Sequence, residues 1–318
     1  MHVFIVFITV WVASSVPLPG GAPVGMDYLA HDAANHRVWI PAGNTGKVDV
    51  LDTTTLKLTS LGDFATIASS RPGATKMGPS SVTVGDGVVW VGNRGDNRLC
   101  AFDARTLEKQ RCIQLSRMPD GIQYIAATHE LWATTPRDKS IAVVSTVTSA
   151  AATISVPGEP EGYAVDAEHG LFYTNLEDKD KTLTIDVATH KILATWSTGC
   201  GGEGPRGLAI DVPHHLLFVA CVDGALVLDL AHDGKQLARL KTGKGVDNID
   251  FHAGKRLLYV ASRDDATLTI AHIDEQGTTQ VVATAHTAKG ARNAVVDHAG
   301  NAYVADSVGG TVIVVRAP

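Results

Sequence analysis

Pro205-Arg206-Gly207-Leu208-Ala209-Ile210-Asp211, followed after a turn by Leu217-Phe218-Val219, decides the fold of this chain. The same phrase stands at Pro160-Glu161-Gly162-Tyr163-Ala164-Val165-Asp166, ahead of Leu171-Phe172-Tyr173. A polar loop comes next, then an alternating strand such as Leu183-Thr184-Ile185-Asp186, then a fourth strand such as Ile192-Leu193-Ala194-Thr195-Trp196. Five further copies keep the register and begin at Met26-Asp27-Tyr28, Pro79-Ser80-Ser81, Pro119-Asp120-Gly121, Val246-Asp247-Asn248 and Ala291-Arg292-Asn293. Four short alternating strands per unit, bounded by turn residues, specify a twisted antiparallel sheet. One such sheet cannot bury both of its faces. Radial stacking of seven buries them and leaves only short edges. The expected fold is all-β, a seven-bladed β-propeller with four antiparallel strands per blade. At about 100–200 residues per domain, 318 residues would suggest two or three domains. The internal repetition instead makes 16–318 one closed body.

The last copy ends one strand short, after Val312-Ile313-Val314-Val315. The segment around Val16-Pro17-Leu18-Pro19 is expected to supply the missing outer strand, where prolines are tolerated at a sheet edge. Before it, residues 1–15 hold an apolar run and then small residues, the pattern of a signal peptide without its usual basic start. The run is short of the roughly 20 residues of a membrane span. A periplasmic or secreted protein is expected, and part of the segment can equally be a strand. Four cysteines fit export if they pair. Cys100 and Cys112 flank a hairpin about Ala104-Arg105-Thr106, and Cys200 and Cys221 fall at one face of one blade. Two intra-blade disulfides are compatible with this spacing, and four buried free thiols are the alternative. One inter-repeat spacing is longer than the rest, Asp63 to Lys76, on the face where inner strands begin. It is either a functional loop or a tolerated insertion.

The net charge of −6, with no run of Lys or Arg, argues against a nucleic-acid partner. Zinc C-x-x-C pairs, haem C-x-x-C-H, G-x-S-x-G, P-loop and H-E-x-x-H motifs are all missing from the sequence.

The repeats resemble the YVTN-repeat, or YncE-like, propellers over essentially the whole chain. Pro-x-Gly-Leu-Ala-x-Asp, an aromatic-centred strand such as Leu258-Tyr259-Val260-Ala261, and the Asp-x-x-Thr turns at Asp52-Thr55, Asp103-Thr106 and Asp186-Thr189 carry the resemblance. The stretch Asp297 to Asp306 also resembles an NHL-type repeat. The resemblance implies the fold and says little about function, because propellers host unrelated activities.

In such a ring the residue after each proline position starts an inner strand at one mouth of the channel. Asp27, Ser80, Asp120, Glu161, Arg206, Asp247 and Arg292 are thereby the candidate ligand-binding residues, with Asn93 and Asn175 on loops of the same face. Crowded carboxylates repel one another. Either Arg206 and Arg292 hold them in a salt-bridge network, or a cation sits on the axis. Val246-Asp247-Asn248-Ile249 resembles the calcium-binding Asp-Asn of paraoxonase- and gluconolactonase-type lactonases, which have six blades. A calcium ion on the axis would draw its oxygens from Asp27, Glu161, Asp247, Asn248 and Asn293. Of these the likeness implies Asp247 and Asn248, with Asn293 as a further ligand, and a calcium ion used on an ester carbonyl. His286, before the seventh inner strand, is the candidate general base. The leading expectation is an exported, monomeric propeller that binds a small polar or anionic ligand, or a partner peptide, at the mouth. The alternatives are a calcium-dependent lactonase or ester hydrolase and a scaffold for protein–protein contacts.

Overall fold

The structure, a computed structural model, describes residues 11–69 and 76–318. Seven four-stranded antiparallel sheets form the ring. Blade one comprises Ala30–Asp32, Arg37–Ala42, Lys47–Asp52 and Leu58–Leu61. Blade two begins at Pro79–Gly85, blade three at Ile122–Ile125, blade four at Pro160–Asp166, blade five at Pro205–Asp211 and blade six at Asp250–His252. Blade seven takes Ala291–Val296, Ala302–Asp306 and Thr311–Arg316 from the end of the chain and Val12–Pro17 from its beginning. Closure by the first strand is as expected, but the pairing runs from Val12 opposite Arg316 to Pro17 opposite Thr311, starting four residues earlier. Leu18, expected in that strand, instead turns into the core between blades seven and one. The closing strand thus includes part of the segment read as a leader, whose residues 1–10 lie outside the described residues. Among the described residues no helix is long and apolar enough to cross a membrane.

The core lies between blades. Each second strand carries an aromatic at matching depth: Trp39, Trp90, Trp132, Tyr173, Phe218, Tyr259 and Tyr303, all buried. Such a side chain contributes about 2–3 kcal/mol by burial. The Asp-x-x-Thr turns close as read. Asp52 Oδ1 accepts from the N–H groups of Thr54 and Thr55, and Asp103 Oδ1 from those of Arg105 and Thr106. These bonds favour the ionised carboxylate and hold both aspartates below the usual range.

Both expected cysteine pairs form. Cys100 and Cys112 stand directly opposite on neighbouring strands with Cα atoms 4.0 Å apart, and Cys200–Cys221 spans 5.2 Å. The long connection contains a small hairpin, Ile67–Ala68 against Lys76–Met77, on the mouth face. Residues 70–75 of that connection lie outside the described residues.

Candidate functional site

Two local devices aim side chains at the mouth. In blades two, four, five and seven the inner strand carries an irregularity just after its first residue. Pro79 pairs with Asn93 and Ser81 with Gly92, Pro160 with Leu176 and Tyr163 with Thr174, Pro205 with Cys221 and Leu208 with Val219, and Ala291 with Asp306 and Asn293 with Ala305. Ser80, Glu161, Arg206 and Arg292 are the residues left in these bulges, and a bulge re-aims its side chain. In blades one, three and six the inner strand begins later, so Asp27, Asp120 and Asp247 precede it in extended chain. Glycine makes the bulges fit. A Cβ on Gly162 would stand 2.4 Å from the Arg206 carbonyl oxygen, which ordinary packing forbids.

Around the mouth every neighbouring pair of blades is joined by a hydrogen bond. Tyr28 N–H donates to the Ser80 carbonyl at 3.0 Å. Ser80 Oγ donates to the Asp120 carbonyl at 2.9 Å, and Tyr163 O–H to that of Ile122 at 2.7 Å. Asn175 Nδ2 donates to the Arg206 carbonyl at 2.6 Å, and Gly207 N–H to that of Asp247 at 3.1 Å. Asn293 Oδ1 accepts from Asn248 N–H at 3.0 Å, and its Nδ2 donates to the Asp27 carbonyl at 3.0 Å. These bonds form a hoop. Ser80 and Asn293, read as ligands, spend their polar atoms in it, and Asn175 spends Nδ2 there while its Oδ1 accepts from Thr182 Oγ1 at 2.6 Å within blade four. Asn93 is occupied too: its Nδ2 donates to the Ala65 carbonyl at 3.1 Å and to Asp96 at 2.7 Å, fastening the long connection to blade two.

Charges are arranged inside the hoop. Arg94 bridges Asp27, at 2.9 Å, and Asp120. Arg292 Nε meets Asp247 at 3.1 Å. Arg206, expected to hold a mouth carboxylate, instead pairs with Glu177 on the short turn Glu177–Lys179 and donates to the Glu203 carbonyl at 3.2 Å. Arg94 takes the role foreseen for it. Glu161 has no hydrogen bond or ion pair among the described residues. Burial, reinforced by Asp120, Asp247 and Asp27, pushes its carboxyl well above the usual range and favours the neutral acid. Burial also raises Asp247, against the pull of Arg292.

Beside the hoop a cavity of about 470 Å³ opens over blades seven, one and two. Asp27, Arg94, Arg263, Arg292 and Lys76 line it together with Met26, Met77 and Val308. Of the candidate ligands, Asp27, Ser80 and Arg292 reach this cavity, whereas Asp120, Glu161, Arg206, Asp247, Asn93 and Asn175 do not. Arg94, Arg263 and Lys76 were not among the candidates, and their shared face was their only signal. His286 ends the outermost strand of blade six, opposite Thr267 and exposed, and lines neither this cavity nor the axial one described below. Among the described residues no group of three or more His, Cys, Asp or Glu side chains is arranged to hold a metal ion.

No protein-family model and no curated protein sequence matches the chain. Solved structures do. A structure of Kuenenia stuttgartiensis hydrazine synthase superposes with a TM-score of 0.77 at 14% identity, over 94% of this chain and 96% of that one. A streptogramin B lyase gives 0.76 at 12% identity over 98% and 99%. Virginiamycin B lyase from Staphylococcus aureus gives 0.76 at 11% identity over 97% and 100%. At such identities the likeness concerns the fold alone, and the same fold serves unrelated chemistry. The chain is a seven-bladed β-propeller, closed by its first strand.

Proposed function

We propose that this protein is an exported propeller that binds a small molecule with an anionic group and an apolar body in the cavity beside the hoop. One observation carries the reading. Arg292 spends only Nε on Asp247, which leaves its two terminal nitrogens without a protein partner among the described residues, in the wall of a cavity shared with Arg263 and Lys76. A guanidinium with two such donors suits a carboxylate or phosphate. A volume of about 470 Å³ falls within the range of small-ligand sites. Met26, Met77 and Val308 supply apolar wall for the rest of the ligand. Glu161, favoured as the neutral acid, adds little repulsion for an anion. Two disulfides fit an oxidising compartment.

The test is calorimetric titration with inorganic phosphate, citrate and an aliphatic monocarboxylate such as octanoate, alongside the uncharged alcohol octanol. The anions should bind saturably and octanol should not. Arg292→Gln and Arg263→Gln should each weaken the anions about tenfold or more, the loss expected for one charge-assisted bond. Binding of octanol alone, or of no probe, would refute the reading. Calcium added after EDTA should leave the melting temperature unchanged. A saturable rise would turn the site into a metal site instead.

A further inference from the structure

Deeper along the same inner strands lies a second cavity of about 360 Å³ on the ring axis. Its wall differs in chemistry from the mouth. No Lys or Arg lines it among the described residues, whereas Asp250, Gln123, His31 and Asn248 do. Tyr28 of blade one and Tyr163 of blade four belong to its wall and not to that of the mouth cavity. Their rings stack with centroids 5.5 Å apart and planes at 18°. Reaching each other from blades one and four, they fill the channel in front of blades two and three. Gly121 leaves them room, since a Cβ there would sit 2.4 Å from the Tyr163 ring.

Two polar groups in this wall are incompletely matched. Asp250 accepts from Phe251 N–H and Val296 N–H, both at 2.8 Å, and forms no ion pair with a Lys or Arg among the described residues. The Nδ2 group of Asn248 is buried without a hydrogen-bond partner among the described residues. A buried donor left unmade costs about 1–3 kcal/mol, so a natural ligand or water is expected there.

We infer that the axial cavity is a separate binding site for a small cationic amine that also carries a hydroxyl or carbonyl. The ammonium group would sit at Asp250 and the Oε1 of Gln123, beside the tyrosine rings. The oxygen would accept from Asn248. Gln123 lines the same cavity from blade three, and because its Nε2 is committed to the Tyr124 carbonyl at 2.9 Å, Oε1 is the atom it has to offer.

The groups facing Asp250 are few. His252 lies on its own strand, Tyr259 stands opposite on the second strand, blade seven contributes the Val296 N–H and, in the cavity wall, the uncharged Asn293, Ala294 and Val295, and His31 and Asp27 share the cavity from blade one. Asp27 is neutralised by Arg94, and burial lowers His31, which favours its uncharged form. Burial pushes Asp250 up to about 6, so it is largely ionised at pH 7 and available to a cation.

Three probes of similar size separate the outcomes: ethanolamine, ethylene glycol and glycolate, titrated calorimetrically at pH 7 and pH 5. Ethanolamine should bind saturably and about tenfold or more tighter than ethylene glycol, as for one charge-assisted bond. Its affinity should drop about tenfold from pH 7 to pH 5 as Asp250 takes up a proton. Asp250→Asn should abolish the preference, and Gln123→Glu should strengthen it several-fold, which keeps the test decisive if the first variant folds poorly. Arg292→Gln should have no effect here, so this site and the mouth site can fail independently. Equal binding of ethanolamine and glycol, preference for glycolate, or an unchanged Gln123→Glu would each overturn the inference.

Discussion

Asn293 donates from Nδ2 to the main-chain carbonyl of Asp27 at 3.0 Å and thereby ties the last blade to the first at the mouth. Its Oδ1 accepts from Asn248 N–H, so one buried side chain fastens two blade interfaces. Asn293→Ala removes both bonds and strands two main-chain groups. A loss of about 2–4 kcal/mol is expected. Ser80→Ala removes the single strong bond to Asp120 and should cost about 1 kcal/mol. Urea unfolding of the two variants checks the order, and equal losses would mean that the hoop does not act as described.

Arg94 is the buried centre of the mouth's charge network, with side chains at 9–13% exposure throughout its pairs with Asp27 and Asp120. Removing one member of such a network leaves the others uncompensated. Arg94→Ala should therefore destabilise by about 3–5 kcal/mol. The double variant Arg94→Ala/Asp27→Asn should recover part of that, because one stranded carboxylate is gone. A double-mutant cycle measures the recovery, and strict additivity would contradict the network.

Asp250 leaves a signature in the pH dependence of stability. Its folded pKa, about 6, lies above the ordinary value of 3.8, so the native state holds a proton that the unfolded state releases between about pH 4 and 6. The contribution of this group is present at low pH and is lost as pH rises through about 6. Asp250→Asn cannot titrate. Relative to wild type, the variant should gain up to about 3 kcal/mol between pH 4 and pH 7, the equivalent of a two-unit shift. Asp52, Asp186 and Asp274 are shifted downwards and act in the opposite sense, which the difference between the two proteins cancels. A pH-independent difference would show that Asp250 is not perturbed.

Each disulfide closes a short loop, with separations of 12 and 21 residues. Chain-entropy reasoning assigns about 3 kcal/mol to each, with only about 0.5 kcal/mol in favour of the longer loop. Cys100→Ser/Cys112→Ser and Cys200→Ser/Cys221→Ser should lower stability by similar amounts, and the reducing agent that destabilises wild type should leave the quadruple variant unaffected. Denaturant midpoints with and without reductant provide the check.

The fold was legible because period and register are written in residue type. The aromatic at matching depth repeats in every second strand, the Pro-x-Gly phrase marks blades three, four and five and the Asp-x-x-Thr turn blades one, two and four, and the structure keeps them in place. The site was legible only as a face. Ser80, Asn175 and Asn293 look alike in sequence whether they hold a ligand or a carbonyl of the neighbouring blade, and only the packing of one blade on the next decides which. Arg206 and Arg94 are both arginines of the mouth face. Glu177, on a turn of blade four, draws Arg206 away, and no repeat pattern announces that partner. His286 precedes the seventh inner strand in sequence, but the outer strand of blade six extends through eight residues to include it and holds it exposed, away from the mouth.

The seam in blade seven also bears on how the molecule is made. Val12 must find Arg316, so the strand that completes the ring is synthesised before every other strand of the ring and its partner after all of them. During translation the early blades can assemble sheet by sheet, while that first strand waits as an unpaired edge with a long row of open donors and acceptors. A nascent chain of this design is therefore most exposed to wrong pairings until its last strand emerges from the ribosome, and a chaperone that shields the waiting strand would act at the step where the ring is most vulnerable.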